Sequence, residues 1–296
     1  MKMTKKYIFL FGVVIFFLIY ILNKILTSPE RQVLFDFNYL NNDKVVNNSN
    51  TLLLNNDILE RNVDLWMKYV KRYNTENKAF IKDTSNGWKT IYLNKYNRIN
   101  FNSILDKWYE EKDSFDLNCR QSSFILIKDM VSGECVIEER DSDIEQEINK
   151  LKSISDEKIT NKDSRTYIYL FTPIKLKIGN SKDIDVYDET LSALKDYWNK
   201  GNLKFKDGKK SKLIQVVLIE PNASDIKATI AHTGLSTKDG DMIYFIEKKN
   251  PCFPYQISRF KNYDDLNRYI ITQFKSSKDY KLMILENNNV IYKNDN

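Results

Sequence analysis

The chain has 296 residues, with 46 lysines and arginines against 40 aspartates and glutamates, so its formal net charge is only +6. A hydrophobic fraction of 42% supports a folded core, and the mild charge argues against a dedicated nucleic-acid-binding protein. One histidine, three cysteines and eight glycines form no HExxH, CxxC, GxGxxG, P-loop or GxSxG motif. We therefore expect no metal ion, no cofactor and no nucleic acid ligand, and the chemistry still open needs one cysteine and one histidine.

The first predicted element is an apolar segment at residues 7–26, preceded by a cluster of lysines. A run of about 20 apolar residues can span a lipid bilayer, and the lysines place its N-terminal end in the cytoplasm. The segment lacks the small-residue pattern of a cleavage site, which favours an uncleaved transmembrane anchor over a secretory signal peptide. In both cases we expect the rest of the chain to be extracytoplasmic, either held at the cell membrane or, after cleavage, secreted.

Three regions are predicted from the composition along the chain. Residues 1–27 form the anchor or signal segment, residues 28–56 form a polar, Asn-rich linker, and residues 57–296 form one domain. Within the domain, helical spacing of apolar residues predicts helices at residues 57–73, 103–111, 143–157 and 187–200. Residues 166–171 fit either a strand or a buried helical segment.

The last third of the domain changes to a β pattern. Strands are predicted at residues 212–220, 225–236 and 241–249, followed by a helix at 263–274 and a hairpin at 281–293. This order predicts an α+β fold with a helical first half and an antiparallel sheet in its C-terminal part.

Cys119 is the candidate nucleophile. Asn118 is a preferred N-cap residue, and the apolar run FILI that follows predicts a buried helix beginning at Cys119. A helix N-terminus favours a thiolate, which is the nucleophilic form of cysteine. The competing interpretation is that Cys119 is a small buried core residue.

His232 is the candidate base. If Asp239 and Gly240 form a two-residue hairpin loop, His232 lies directly opposite Glu247 on the next strand. The carboxylate of Glu247 would then hold the imidazole in one tautomer and stabilise its charged form. A three-residue loop would instead move Glu247 to a diagonal position, and an ordinary surface His–Glu pair is the competing interpretation.

Short sequence blocks around these residues carry a resemblance to known proteins. The blocks NCR at 118–120, AHTG at 231–234, FIEK at 245–248 and PYQ at 254–256 resemble an uncharacterised family of exported Gram-positive bacterial proteins. That family carries domain of unknown function 4300; the resemblance covers most of residues 57–293 and implies no activity.

The strand around His232 is also similar to the corresponding strand of papain-like cysteine amidases, including the NlpC/P60 type. This second resemblance implies a papain-like fold, in which the helix that bears the cysteine packs on the C-terminal antiparallel sheet. The sequence departs from that group at Glu247, because another polar residue is frequent as the third member.

Three further residues are candidates for substrate binding or oxyanion stabilisation. The backbone N–H of Cys119 is the default oxyanion donor, and Asn118 or Gln256 could add a side-chain amide. Gln256 could equally bond the backbone near it. Arg120 could bind a substrate carboxylate through two hydrogen bonds, or it could pair with a nearby acidic residue.

These residues predict a membrane-anchored extracytoplasmic cysteine hydrolase that cleaves an amide or peptide bond with a Cys119–His232–Glu247 site. Cell-wall peptides are the expected substrate class from location alone, and acyl transfer to an amine is a variant of the same chemistry. The alternative is a non-catalytic extracytoplasmic binding or structural module on the same fold. Cys135 and Cys252 either form a disulfide or remain free thiols.

Overall fold

The computed structural model describes residues 33–111, 116–133, 141–154, 159–177, 185–221, 225–274 and 280–293. The predicted anchor at residues 1–27 and the residue Cys135 lie outside these ranges. Among the described residues, no helix combines the length and the apolar character that crossing a membrane requires.

Eleven strands are found in the described ranges. In chain order they are β1 (Leu34–Asn38), β2 (Lys89–Tyr92), β3 (Val131–Ser132), β4 (Ile174–Lys177), β5 (Lys204–Phe205), β6 (Lys212–Pro221), β7 (Asp225–Asp239), β8 (Met242–Lys248), β9 (Tyr255–Phe260), β10 (Lys281–Glu286) and β11 (Asn289–Lys293). Nine of them form one antiparallel sheet in the order β11-β10-β6-β7-β8-β9-β1-β2, with β4 paired to β7. The strands β3 and β5 form a separate antiparallel pair.

Nine α-helices accompany these strands in the same ranges. They are α1 (Asp43–Asn55), α2 (Glu60–Glu76), α3 (Leu93–Tyr96), α4 (Asn102–Glu111), α5 (Cys119–Ile127), α6 (Ser142–Ile154), α7 (Asn161–Phe171), α8 (Val186–Lys200) and α9 (Tyr263–Gln273). The predicted α+β class with an antiparallel sheet is therefore confirmed. The ambiguous segment 166–171 is helical and belongs to α7.

The N-terminal part of the domain differs from the prediction. The predicted linker at 28–56 contains the strand β1 and the helix α1, and β1 pairs with both β2 and β9. The folded domain therefore begins before residue 57. The division into a helical half and a sheet half is also wrong, because β1 and β2 complete one edge of the sheet.

The sheet has an apolar core on each of its two faces. One face packs against α2 and α5 through the buried side chains of Trp66, Phe124 and Ile246. The other face packs against α9 through Phe245 and Leu266. Burying each such side chain stabilises the fold by roughly 1.5–3 kcal/mol. The helix α5 and the helix α9 thus lie on opposite faces of the strand β8.

The hairpin that joins β7 and β8 has a different register from the predicted one. Its last pair is Asp239 with Met242, so the loop consists of Gly240 and Asp241, and Gly240 has a positive φ of 57°. Glu247 therefore lies opposite Gly234 rather than His232. Because side chains alternate between the two faces with a period of two, this shift of two residues keeps Glu247 on the same face, diagonal to His232.

Candidate active site

The helix α5 begins at Cys119, as the sequence predicts. The Asn118 side chain accepts a hydrogen bond of 2.9 Å from the backbone N–H of Gln121, and the Gln121 side chain accepts one of 2.8 Å from the Asn118 N–H. This reciprocal capping box fixes the start of the helix. Cys119 therefore occupies the first helical position, where the partial positive charge of the helix end favours a thiolate.

A β-bulge brings the strand β7 against this helix end. Val216 pairs with His232 but Val217 pairs with Ile230, so Ala231 is an extra residue in β7. The Cys119 Sγ atom lies 3.9 Å from the Ala231 carbonyl oxygen. The bulge thus places the sulfur beside the backbone of the residue that precedes His232.

His232 and Glu247 form the pair that the sequence predicts, although the two residues are diagonal neighbours on adjacent strands and do not lie directly opposite each other. The His232 Nε2 and Glu247 Oε2 atoms are 2.7 Å apart, and both side chains are buried. The buried His232 Nδ1 has no hydrogen-bond partner of ordinary geometry in the described part of the chain. Besides Glu247, Cys119 is the titratable neighbour that affects the pKa of this ring. The imidazole therefore has both a carboxylate and a thiol as titratable neighbours.

The three groups shift one another's pKa values. Burial alone would raise the pKa of the Cys119 thiol, but the neighbouring His232 ring and its charge outweigh it, and the pKa lies below its ordinary value. Burial alone would lower the pKa of His232, but the neighbouring Cys119 thiol and the hydrogen bond to Glu247 raise it to about 9. The pKa of Glu247 is lowered despite its burial, mainly by the hydrogen bond with His232. Each of these shifts favours the charged form of its group: thiolate for Cys119, imidazolium for His232 and carboxylate for Glu247.

A network of buried polar side chains holds the second carboxylate oxygen of Glu247. The Tyr269 hydroxyl donates a hydrogen bond to Glu247 Oε1. Gln256, which lies opposite Glu247 on β9, donates from Nε2 to the hydroxyls of Ser258 at 2.7 Å and Tyr269 at 3.1 Å. Its Oε1 accepts a hydrogen bond of 2.7 Å from the Tyr96 hydroxyl. The Gln256 amide, a predicted oxyanion donor, is thus engaged in holding the Tyr269–Glu247 contact.

Arg120, the predicted substrate-binding residue, has internal partners. Its guanidinium binds both carboxylate oxygens of Glu147, and its Nη1 donates a hydrogen bond of 3.0 Å to the Ile230 carbonyl. The interpretation in which Arg120 pairs with an acidic residue therefore fits the structure, and a substrate carboxylate would have to displace Glu147. Asn118 likewise uses its side-chain oxygen as the helix cap. The backbone N–H of Cys119 stays the predicted oxyanion donor.

Comparison with known proteins adds one finding. A family model described as Domain of unknown function (DUF4300) matches residues 36–291. The chain belongs to the DUF4300 family. No curated protein and no solved structure matches the chain. The match to the DUF4300 model begins within β1 and includes every residue of the candidate site, in agreement with the early start of the folded domain.

A buried ion pair on the other side of β8 holds the segment that leads into Cys119. The Lys248 Nζ atom lies 3.0 Å from Asp116 Oδ2 and donates a hydrogen bond of 2.9 Å to the Phe253 carbonyl. Lys248 follows Glu247 directly, and Asp116 precedes Cys119 by three residues. The pair therefore connects the strand that carries the carboxylate to the segment that carries the thiol.

The sequence interpretation missed several of the residues that build this site. Tyr96, Tyr269 and Lys249 lie around Glu247, and the Lys249 Nζ atom is 4.3 Å from the centroid of the Tyr96 ring. Burial lowers the pKa of Lys249 to about 8, so it is still largely cationic at neutral pH beside the carboxylate. Lys249 carries a usable signal, because in the predicted strand 241–249 it is two residues from Glu247 and shares its face. The two tyrosines carry none, because tertiary folding brings them together.

The site is closed to solvent in this conformation. The exposed fractions of Cys119, His232 and Glu247 are 7%, 1% and 3%. The half-buried ring of Phe274 lies over His232, with 5.2 Å between the ring centroids. A substrate carbonyl would therefore need a local movement to reach the sulfur. Cys252 is a free buried thiol, and no cluster of His, Cys, Asp or Glu in the described ranges could hold a metal ion.

Proposed function

We propose that the chain is a cysteine hydrolase that cleaves an amide or peptide bond. Cys119 is the nucleophile, His232 is the general base and acid, and Glu247 orients the imidazole. One observation supports this proposal above the others: the thiol and the imidazole shift each other's pKa toward an ion pair while His232 Nε2 is held 2.7 Å from Glu247 Oε2. This is the combination that an activated cysteine nucleophile requires.

The proposed reaction proceeds through an acyl-enzyme. His232 takes the thiol proton, and the Cys119 thiolate attacks the carbonyl carbon, so that the carbonyl electron pair moves onto the oxygen. The Cys119 N–H at the start of α5 stabilises this oxyanion. His232 then gives its proton to the leaving amine as the C–N bond breaks and a thioester is left. Water, deprotonated by His232, attacks the thioester, which releases the carboxylic acid and restores the thiol.

We further propose that this chemistry takes place outside the cytoplasm. The apolar segment at residues 7–26 would anchor the chain in the lipid bilayer, with the domain on the far side from the lysine cluster. Cell-wall peptides or other amides of an exported environment in a Gram-positive bacterium are then the substrate class. The packing of the cysteine-bearing helix α5 on the antiparallel strands β7 and β8 supports a relation to papain-like enzymes.

The alternative function is a non-catalytic extracytoplasmic binding or structural module. The observation in its favour is burial, because a cysteine that is only 7% exposed is poorly placed to meet a substrate. In this alternative, the Cys119–His232–Glu247 cluster is a polar part of the core.

Mass spectrometry of peptide cleavage separates the two functions. The full-length chain is incubated with synthetic cell-wall stem peptides, quenched in acid, and examined for cleaved peptides and for an acyl adduct on Cys119. A hydrolase gives both, Cys119→Ser gives neither, and Cys252→Ser, a matched change at another buried thiol, keeps both. A parallel reaction with an added amine distinguishes transfer from hydrolysis. If the wild type gives neither cleavage nor adduct, or if Cys119→Ser retains cleavage, the hydrolase proposal fails.

A further inference from the structure

A groove of about 270 Å³ lies on the sheet face opposite to Glu247. Its lining residues come from α1, from the strands β8 and β9, and from Trp88 and Asp239. Tyr244 lines it from β8, and strand alternation turns Tyr244 away from the face that carries Glu247 three residues later. The groove is therefore separate from the candidate active site.

The sheet side of the groove is aromatic and carries a fixed cation. The rings of Trp88 and Tyr244 are 6.2 Å apart, and the Arg259 guanidinium lies 4.6 Å above the Trp88 ring. Arg259 lies opposite Tyr244 in the β8–β9 ladder, and its Nε donates a hydrogen bond of 2.7 Å to Asp36. Its terminal amino groups have no hydrogen-bond partner among the described residues. They are therefore positioned donors that a ligand can use.

The helix side of the groove carries polar, uncharged side chains together with Leu52. Asn48 and Asn55 are seven residues apart on α1, so both line the groove from the same side of the helix. Neither side-chain amide makes a hydrogen bond within the described part of the chain. Asp239, at the end of β7, adds one exposed carboxylate. The lining thus offers donors and acceptors in balance, with one positive and one negative side chain.

We propose that this groove binds a neutral saccharide. The C–H face of a sugar ring packs on aromatic side chains, and its hydroxyl groups bond in both directions to the amides of Asn48 and Asn55, to Asp239 and to Arg259. Asp239 disfavours an anionic ligand and Arg259 disfavours a cationic one. A wholly apolar ligand would bury these polar groups without hydrogen bonds, which is costly. The volume of about 270 Å³ is close to the lower limit of roughly 300 Å³ for small-molecule sites, which suits one or two sugar rings.

Tryptophan fluorescence gives a direct test, because the other three of the four tryptophans in the sequence, Trp66, Trp108 and Trp198, are buried. The full-length chain, in a zwitterionic detergent without a sugar headgroup, is titrated with chitotriose, cellotriose and maltotriose. We expect a saturable change in emission with at least one of them. The same change should be absent in Trp88→Phe, where the reporting indole is gone.

Calorimetry with the active trisaccharide then tests the lining residues. Trp88→Ala should weaken binding at least tenfold and Asn55→Ala severalfold, whereas Tyr109→Ala, at an exposed aromatic residue outside the groove, should leave it unchanged. Circular dichroism checks that each variant is folded. The proposal fails if none of the three trisaccharides binds, or if Trp88→Ala binds the active one as tightly as wild type. Because the assay needs no catalysis, its result is independent of the hydrolase proposal.

Discussion

Two neighbouring residues of β8 each form a buried ion pair. The two pairs differ in whether one of their hydrogen-bonding atoms is left without a partner. Lys248 meets Asp116 at 3.0 Å and a backbone carbonyl at 2.9 Å, and its ammonium lies about 4 Å from the rings of Tyr73 and Tyr255. Glu247 meets His232 at 2.7 Å on the opposite face of the strand. Every side of the Lys248 ammonium faces protein, whereas the imidazole paired with Glu247 has a second nitrogen, Nδ1, that makes no hydrogen bond to the described residues, and the Cys119 thiol acts on the same ring.

This difference separates a structural ion pair from a candidate catalytic one. Both pairs are almost fully buried and both contain groups with displaced pKa values, so burial and electrostatics alone do not distinguish them. The difference is that the His232–Glu247 pair includes a nitrogen, His232 Nδ1, without a hydrogen-bond partner in the described ranges, and has the candidate nucleophile Cys119 as a neighbour. We therefore expect substitutions on the Lys248 side to change mainly stability, and those on the Glu247 side to change mainly the reactivity of Cys119.

The largest effect is expected from Lys248→Met. This change removes the buried cation of Asp116 and leaves only the exposed Arg72, whose guanidinium lies 2.5 Å from Asp116 Oδ1, beside the carboxylate, so it costs at most about 3–5 kcal/mol of unfolding free energy. Urea denaturation followed by circular dichroism measures the loss. The double variant Lys248→Met/Asp116→Asn should recover part of it, because no unpaired charge is then buried. A loss below about 1 kcal/mol, in the range of exposed pairs, would contradict the structural role.

Glu247→Gln should have the next largest effect, on reactivity rather than on stability. Without the carboxylate the pKa of His232 falls and the pKa of Cys119 rises, so less thiolate is present at pH 7. One unit of pKa corresponds to about a tenfold change in thiolate, and we expect Cys119 to be alkylated about tenfold more slowly. Peptide mass spectrometry measures the rate, with Cys252 in the same sample as the reference thiol. An unchanged ratio of the two rates would remove Glu247 from the site.

The pH dependence of stability tests the same carboxylate in another way. The pKa of Glu247 is lowered in the folded state, so its contribution to stability is present above its unfolded pKa and is lost as the pH falls below that value. Between pH 5 and pH 3 the unfolding free energy of wild type should fall more steeply than that of Glu247→Gln. The difference in slope is at most about 1.4 kcal/mol per pH unit. Parallel slopes would mean that the folded pKa of Glu247 is not lowered.

The smallest effect is expected from Tyr269→Phe, which removes one hydrogen bond to Glu247 but no charge. A net hydrogen bond is worth about 0.5–1.5 kcal/mol, and only part of this is transmitted to the thiol, so we expect alkylation of Cys119 to slow by about threefold. Tyr109→Phe, at an exposed position, is the matched control. An effect as large as that of Glu247→Gln would mean that Tyr269 itself interacts with the thiol.

The parts of the site that depend on local chemistry could be predicted from the sequence. The cap at Asn118 and the start of α5 follow from neighbouring residues, and both are present. The sequence also predicts the pairing of His232 with Glu247, although the hairpin loop is Gly240–Asp241 and not Asp239–Gly240. The predicted pairing is still found because a register shift of two residues leaves Glu247 on the same face of the sheet as His232.

The parts that depend on distant residues could not be predicted. The strand β1 lies within an Asn-rich segment that reads as a linker, and its pairing with β9 joins residues more than 200 positions apart. The hydrogen bond from Tyr269 to Glu247 and the bulge at Ala231 depend on packing between elements, for which the local sequence has no marker. The internal partner of Arg120, Glu147, comes from another helix.

The central claim is that His232 activates Cys119. The direct measurement is the alkylation rate of each cysteine against pH, resolved by mass spectrometry, in the full-length wild type and in His232→Ala. We predict that Cys119 reacts well below pH 8 in wild type, that Cys252 lags because burial raises its pKa, and that His232→Ala moves the Cys119 profile to higher pH. A Cys119 that is inert, or that has the same profile with and without His232, would contradict the account.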